Sequence, residues 1–203
     1  MPRQLNSPEL SILPQVLQDD VNLAIWERQL PVHIATFADS VIATGLPFAA
    51  SQVLTVDEDQ PPKLTDLASE LRDIEGHAGF VADVAWLTHA FACLTGAKRV
   101  GLRLRTLHKA MCPRYHVDWV ALRLITTYAG VGSQWLEEGA MAREHLGDPA
   151  AEPASPPRQL QAGSVALFKG ERWEGNEGRG IIHRSPPVPD NQGRLLMTLD
   201  WLG

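Results

Sequence analysis

Three side chains in the second half of the sequence have the types and spacing for metal chemistry. His116 and Asp118 stand two residues apart in Cys112-Pro113-Arg114-Tyr115-His116-Val117-Asp118, and a second histidine, His183, lies far downstream with Arg194 beyond it. Alternate residues of an extended segment face the same side, so a His and an Asp at this spacing can bind one ion together. A third ligand brought from a distant strand would complete a two-histidine, one-carboxylate face, the arrangement that leaves positions open on a non-haem Fe(II). A bare H-x-D recurs by chance, so the elements around it must carry the reading.

Those elements divide near residue 97. Before it, Leu64, Leu67, Leu71 and Ile74 recur at helical spacing, as do Phe80, Val84, Leu87, Phe91 and Leu94 up to Gly96, a helix stop. The pattern predicts a mainly helical N-terminal part over residues 1–97, with a short strand near Val53 to Val56 and a break at Pro61-Pro62. After Gly96 the chain turns to short β-like runs: Arg99 to Leu107, Val120 to Tyr128, Ser164 to Lys169, Gly180 to His183 and Arg194 to Trp201. Such runs, separated by Gly and Pro, predict a sandwich or barrel such as a jelly roll over residues 98–203. The expected fold class is therefore α+β, a helical N-terminal part packing on a double-stranded β-helix within one compact domain.

On this outline the candidate ligands all occupy strand ends. His116 and Asp118 come just before the run at Val120, and His183 ends a run that Pro186-Pro187 drives out of the sheet. Arg194 opens the last run, where its guanidinium fork suits capture of a carboxylate. Arg105 and Arg123, on neighbouring runs, are alternatives for that role. Two irregular loops, residues 147–163 and the glycine-rich stretch from Gly170 to Gly180 around Trp173, have the texture of binding loops.

The 203 residues suffice for one buried core, and 44% hydrophobic composition reads as globular. A net charge of −6 disfavours nucleic acid and anionic membranes as partners, because both would be repelled over most of the surface. The charge is uneven, however. No acid occurs between Asp83 and Asp118, while Lys98, Arg99, Arg103, Arg105, Lys109 and Arg114 fall inside that stretch. This is either a solvated basic face or an anion-attracting rim beside the metal. Two cysteines, Cys93 and Cys112, build no disulfide framework, and the first residues lack an apolar signal core. The expectation is a cytoplasmic protein with reduced thiols and no membrane span.

The order H-x-D, distal His, then Arg opening the last strand resembles the Fe(II)- and 2-oxoglutarate-dependent dioxygenases, especially their prolyl-hydroxylase-like branch. Val165-Ala166-Leu167-Phe168, His183-Arg184-Ser185-Pro186-Pro187, Gly193-Arg194 and Trp201 look like that branch's closing strands. The resemblance implies Fe(II) held by His116, Asp118 and His183, with 2-oxoglutarate paired to Arg194. It further implies oxidation of a small-molecule or protein side-chain substrate, with Trp119, Trp135 or Trp173 shielding the mouth. The fuller string through Leu122-Arg123-Leu124 and Lys169-Gly170-Glu171-Arg172-Trp173 is similar to an uncharacterised bacterial family, domain of unknown function 1826. That likeness implies a link to CobW-type metal-handling GTPases and to zinc homeostasis.

Duller readings compete with these. The histidines can be hydrogen-bonded groups at sheet ends and Asp118 an ordinary turn residue. Cys112 with His116, Asp118 and His183 would make a closed zinc set, and a saturated zinc site is structural. The alternatives to an oxygenase are thus a non-catalytic Zn(II)-binding accessory protein and an unliganded interaction domain.

Overall fold

A computed structural model describes residues 1–57, 59–64, 66–190 and 192–202. The chain opens on a strand: β1 (Arg3–Ser7) and β2 (Val21–Trp26), joined by a 3-10 segment at Leu10–Leu17, pair in parallel. Helix α1 (Val32–Ala43), β3 (Ala49–Thr55) and helix α2 (His77–Thr95) follow. The expectation of a mainly helical N-terminal part is therefore corrected, since β1, β2 and β3 all join the large sheet. Val21 to Ile25 are buried on both faces of that sheet, so β2 is a continuous apolar run without the alternation that marks a half-exposed strand.

The two helical patterns fared differently. Leu64, Leu67, Leu71 and Ile74 yield only a 3-10 turn at Ser69–Leu71, because Ala68 adopts a left-handed φ of 55° that an α-helix cannot hold. Phe80, Val84, Leu87 and Phe91 do form the buried face of α2, which ends at Gly96 in the left-handed region. Alone among the described residues, α2 has the length and apolarity of a membrane span, yet that face lies on the sheet. Its Asp83 accepts both fork bonds of Arg28, at 2.7 and 2.9 Å, and the hydroxyl of Tyr128 at 2.7 Å.

The remaining strands are β4 (Arg99–Leu107), β5 (Leu122–Ala129), β6 (Gln134–Trp135), β7 (Arg158–Gln159), β8 (Val165–Lys169), β9 (His183–Arg184) and β10 (Arg194–Trp201). The large sheet runs β1-β2-β8-β5-β10-β4-β3 and the small one β7-β6-β9, extended by a single antiparallel bridge between His116 and His183. Two antiparallel layers built from β4 onward, with the last strand inserted between β5 and β4, constitute the expected jelly roll.

Alternation sorts the large sheet's side chains. Val100, Leu102 and Leu104 of β4, Leu195, Met197 and Leu199 of β10, and Val165 and Leu167 of β8 face the helices and form the main core. Leu23, Ile25, Ile125, Ala166, Phe168 and Leu196 face inward, with Ile181 and Leu160 opposite them, and fill the barrel. Arg103, Arg105, Arg123, Arg194, Thr198 and Asp200 share the inward parity of these residues.

Candidate metal centre

The small sheet is what turns the sequence spacing into a site. Tyr115 packs outward with Leu136 and Ile182, and Val117 rests on the same cluster, so His116 and Asp118 are directed into the barrel. Ile181 belongs to the barrel interior and Ile182 to the outer cluster, which sends His183 inward against Phe168 at 4.9 Å between rings. Reciprocal main-chain bonds of 3.0 Å join His116 and His183. One ligand atom from each of His116, Asp118 and His183 lies within 4.8 Å of the others. The two imidazoles stand 4.4 Å apart, centre to centre.

Both rings are set by main-chain carbonyls. His116 Nδ1 is 2.9 Å from the Arg114 carbonyl and His183 Nδ1 is 3.1 Å from that of Ile181. A carbonyl only accepts, so each Nδ1 carries a proton and donates it. Burial pushes His183 down to about 4, with the His116 ring adding to the shift and the Asp118 carboxylate opposing it. His183 is therefore neutral at physiological pH, with a lone pair on Nε2. That lone pair faces Asp118 Oδ2 at 3.4 Å, and Oδ2 is buried without a hydrogen-bond partner. Two electron-rich atoms meeting in a dry interior is the arrangement a cation resolves.

Asp118 is oriented from behind. Arg123 Nη1 donates to its Oδ1 at 2.6 Å, while the rest of the same guanidinium forks onto Asp200, the Nη2 bond being 3.0 Å. Asp200 also meets Arg103 at 3.1 Å. Burial works against the Arg123 charge, but Asp200 and Asp118 more than offset it and hold the group above its ordinary value. The backbone at Asp118 is fixed by the end of β8: its carbonyl accepts from the Glu171 amide at 2.9 Å, and the Gly170 amide bonds Ala121 at 3.0 Å. A Cβ at Gly170 would lie 2.1 Å from the Val120 carbonyl oxygen, so only glycine permits this approach.

Arg194 is fully buried, and no carboxylate pairs with it among the described residues. Its guanidinium donates to Ser185 Oγ at 3.1 Å, Thr127 Oγ1 at 3.2 Å and Ser133 Oγ at 3.0 Å, and its Nε has no partner. Burial lowers it to about 10. Gly130, at φ +80°, makes room for it: a Cβ there would sit 2.1 Å from the Gly193 carbonyl oxygen and 3.0 Å from Arg194 Cα.

Other expected residues lie elsewhere. Cys112 is exposed and outside the ligand cluster, so the four-ligand zinc set does not assemble. Trp173 packs on Trp201 and under Lys169 on the helix side of the sheet, Trp135 packs against the barrel interior, and Trp119 is 75% exposed. Asp200 escaped the sequence reading, and Gly170 was read only as the start of a glycine-rich loop. Their signals were an acid at an inward position of an otherwise apolar strand and a glycine directly ending one.

The jelly roll and its inward cluster of two histidines and an aspartate define a class of barrel equipped to hold a metal. Within that class the chain belongs to the family described as "Protein of unknown function (DUF1826)", matched over residues 7–200. No curated protein matches it in sequence. Among solved structures, the dioxygenase for auxin oxidation 1 from Arabidopsis thaliana, in a 2-oxoglutarate binary complex, is similar over 100% of this chain and 93% of that one, with 12% identity and a TM-score of 0.50. A Pseudomonas putida prolyl-4-hydroxylase aligns over 94% of this chain and 97% of its own, at 12% identity and a TM-score of 0.47. A 2OG-Fe(II) oxygenase family oxidoreductase from Burkholderia pseudomallei aligns over 98% and 94%, at 13% and 0.44. The likeness to the Arabidopsis structure establishes the shared fold.

Proposed function

We propose that the protein is an Fe(II)- and 2-oxoglutarate-dependent dioxygenase of the hydroxylase type. The observation that carries the reading is the meeting of two imidazoles and a buried carboxylate oxygen without a hydrogen-bond partner inside the barrel. His116, Asp118 and His183 would hold the metal on one face, a donor set that suits Fe(II) and leaves positions open. Arg194 would bind the distal carboxylate of 2-oxoglutarate, which supplies the anion that its buried guanidinium lacks.

When bound, the metal and 2-oxoglutarate supply one overall reaction: R–H + 2-oxoglutarate + O₂ gives R–OH + succinate + CO₂. The chain's own residues bind and orient. The Arg114 and Ile181 carbonyls fix each ring so that Nε2 points inward, and Arg123 leaves Asp118 one free oxygen for the ion. Phe168, Ile181, Ile125 and Leu196 keep the neighbourhood dry, which strengthens every charge interaction there.

The test is anaerobic loading with Fe(II), followed by 2-oxoglutarate. A weak visible metal-to-ligand absorption and saturable 2-oxoglutarate binding are expected, both lost in Asp118→Ala, with binding weakened roughly 10- to 100-fold in Arg194→Met. A single tightly held zinc together with no 2-oxoglutarate binding would overturn the reading.

A further inference from the structure

The inner face of the large sheet carries more positive charge than the metal cluster and its supports consume. Arg103 and Arg105 of β4, Arg123 of β5, Leu196 and Thr198 of β10, and Met111 line a cavity of about 210 Å³. Strand register sets Leu196 opposite Arg105 and Thr198 opposite Arg103, so the guanidiniums and the aliphatic groups face one space. Arg123 forms one wall and also holds Asp118, which makes the cavity contiguous with the support of the metal cluster.

The charges around it do not balance. Arg123 is engaged by Asp118 and Asp200, and Arg103 shares Asp200. Arg105 has no carboxylate partner among the described residues; its Nη1 touches only Met111 Sδ, at 3.6 Å, and its Nε is buried without an acceptor. Three guanidiniums thus face two carboxylates. A buried donor left unmade is costly, and a carboxylate from outside would satisfy it through a fork pair. A phosphate, carrying nearly two charges at neutral pH, would exceed the single unit left over.

We propose that this cavity is the substrate subsite and that the substrate is a monocarboxylic acid. Its carboxylate is paired with Arg105, with Arg103 beside it, and its hydrocarbon part lies on Leu196, the Thr198 methyl and Met111. Met111, half-exposed and unbranched, forms an adaptable lip. The assignment of the cavity to a substrate rests on the oxygenase reading, whereas its preference for a carboxylate follows from its own charges.

Titration calorimetry on the full metal-free chain separates the two. Hexanoate and phenylacetate are the probes, hexan-1-ol the neutral counterpart and hexyl phosphate the more highly charged one. Saturable binding of both carboxylates is expected, with none for the alcohol. Arg105→Gln weakens hexanoate roughly 10- to 100-fold and Arg105→Lys recovers part of the loss. Arg103→Gln, at a half-exposed position that tolerates change, weakens it severalfold. The proposal fails if neither carboxylate binds, if Arg105→Gln and Arg103→Gln bind hexanoate as tightly as the parent, or if hexyl phosphate binds more tightly than hexanoate. Fe(II) and 2-oxoglutarate titrated in parallel distinguish the failures: monocarboxylate binding without 2-oxoglutarate binding overturns the oxygenase, and the reverse overturns the subsite.

Discussion

Arg123 and Arg194 stand on the same inward face of the barrel, and their surroundings differ in kind. Arg123 is clasped by two carboxylates, whereas Arg194 has three hydroxyls and, among the described residues, no acid. Both are buried cations, so both carry a desolvation cost that only an anion can offset well. At Arg123 the anions are part of the chain and the arrangement is complete before any ligand arrives. At Arg194 the anion is missing, and the fold keeps the charge inside regardless. A buried ion balanced from within is architecture, while one left unbalanced marks where a guest belongs.

That contrast can be broken by experiment. Replacing Arg123 with Met takes from Asp118 its guanidinium and leaves Asp200 to Arg103 alone, so the metal-free protein should lose about 3–5 kcal/mol in chemical denaturation. Acid should act next most strongly. His183 is pushed from 6.5 to about 4 on folding, so as pH falls the unfolded chain takes up the proton first. The His183 contribution is thus fully present above about 6.5 and lost as pH drops through 4, on the order of 3 kcal/mol. Denaturation across that window should show a slope that His183→Gln flattens. Gly130→Ala, which forces a Cβ into the backbone carrying Arg194, should cost about 1–3 kcal/mol. Arg194→Met should change the stability of the unliganded protein least, by less than about 1 kcal/mol in the same assay. A loss there as large as at Arg123 would erase the distinction.

The site was more legible than its frame. The convergence of His116, Asp118 and His183 and the inward position of Arg194 could be expected because strand alternation is a property of the local chain, and the β4, β8 and β10 runs announce themselves by apolar patches between Gly and Pro. β2 was invisible, since a strand buried on both faces lacks alternation and its pairing with β8 is decided by residues more than a hundred positions away. Leu64 to Ile74 carried helical spacing without a helix because two of those leucines reach the core from turns around Ala68. Asp200 was hidden for a related reason. Only the register of β10 against β5 and β4 sets it across from Arg123 and beside Arg103. The basic stretch between Asp83 and Asp118 was visible as charge, but which members face the barrel depended on that same register.

The paired main-chain bonds between His116 and His183 have one more consequence. His183 is also paired with Trp135 of β6, whereas His116 meets the small sheet through a single bridge, so the two donors are held unequally. A slip of one position at that bridge would turn the His116 ring out of the barrel while the β6 pairing keeps His183 in place. Opening of the nearby Ser185–Cys112 main-chain bond should therefore loosen His116 first, so that a bound metal would leave in two stages, the last from His183 and Asp118.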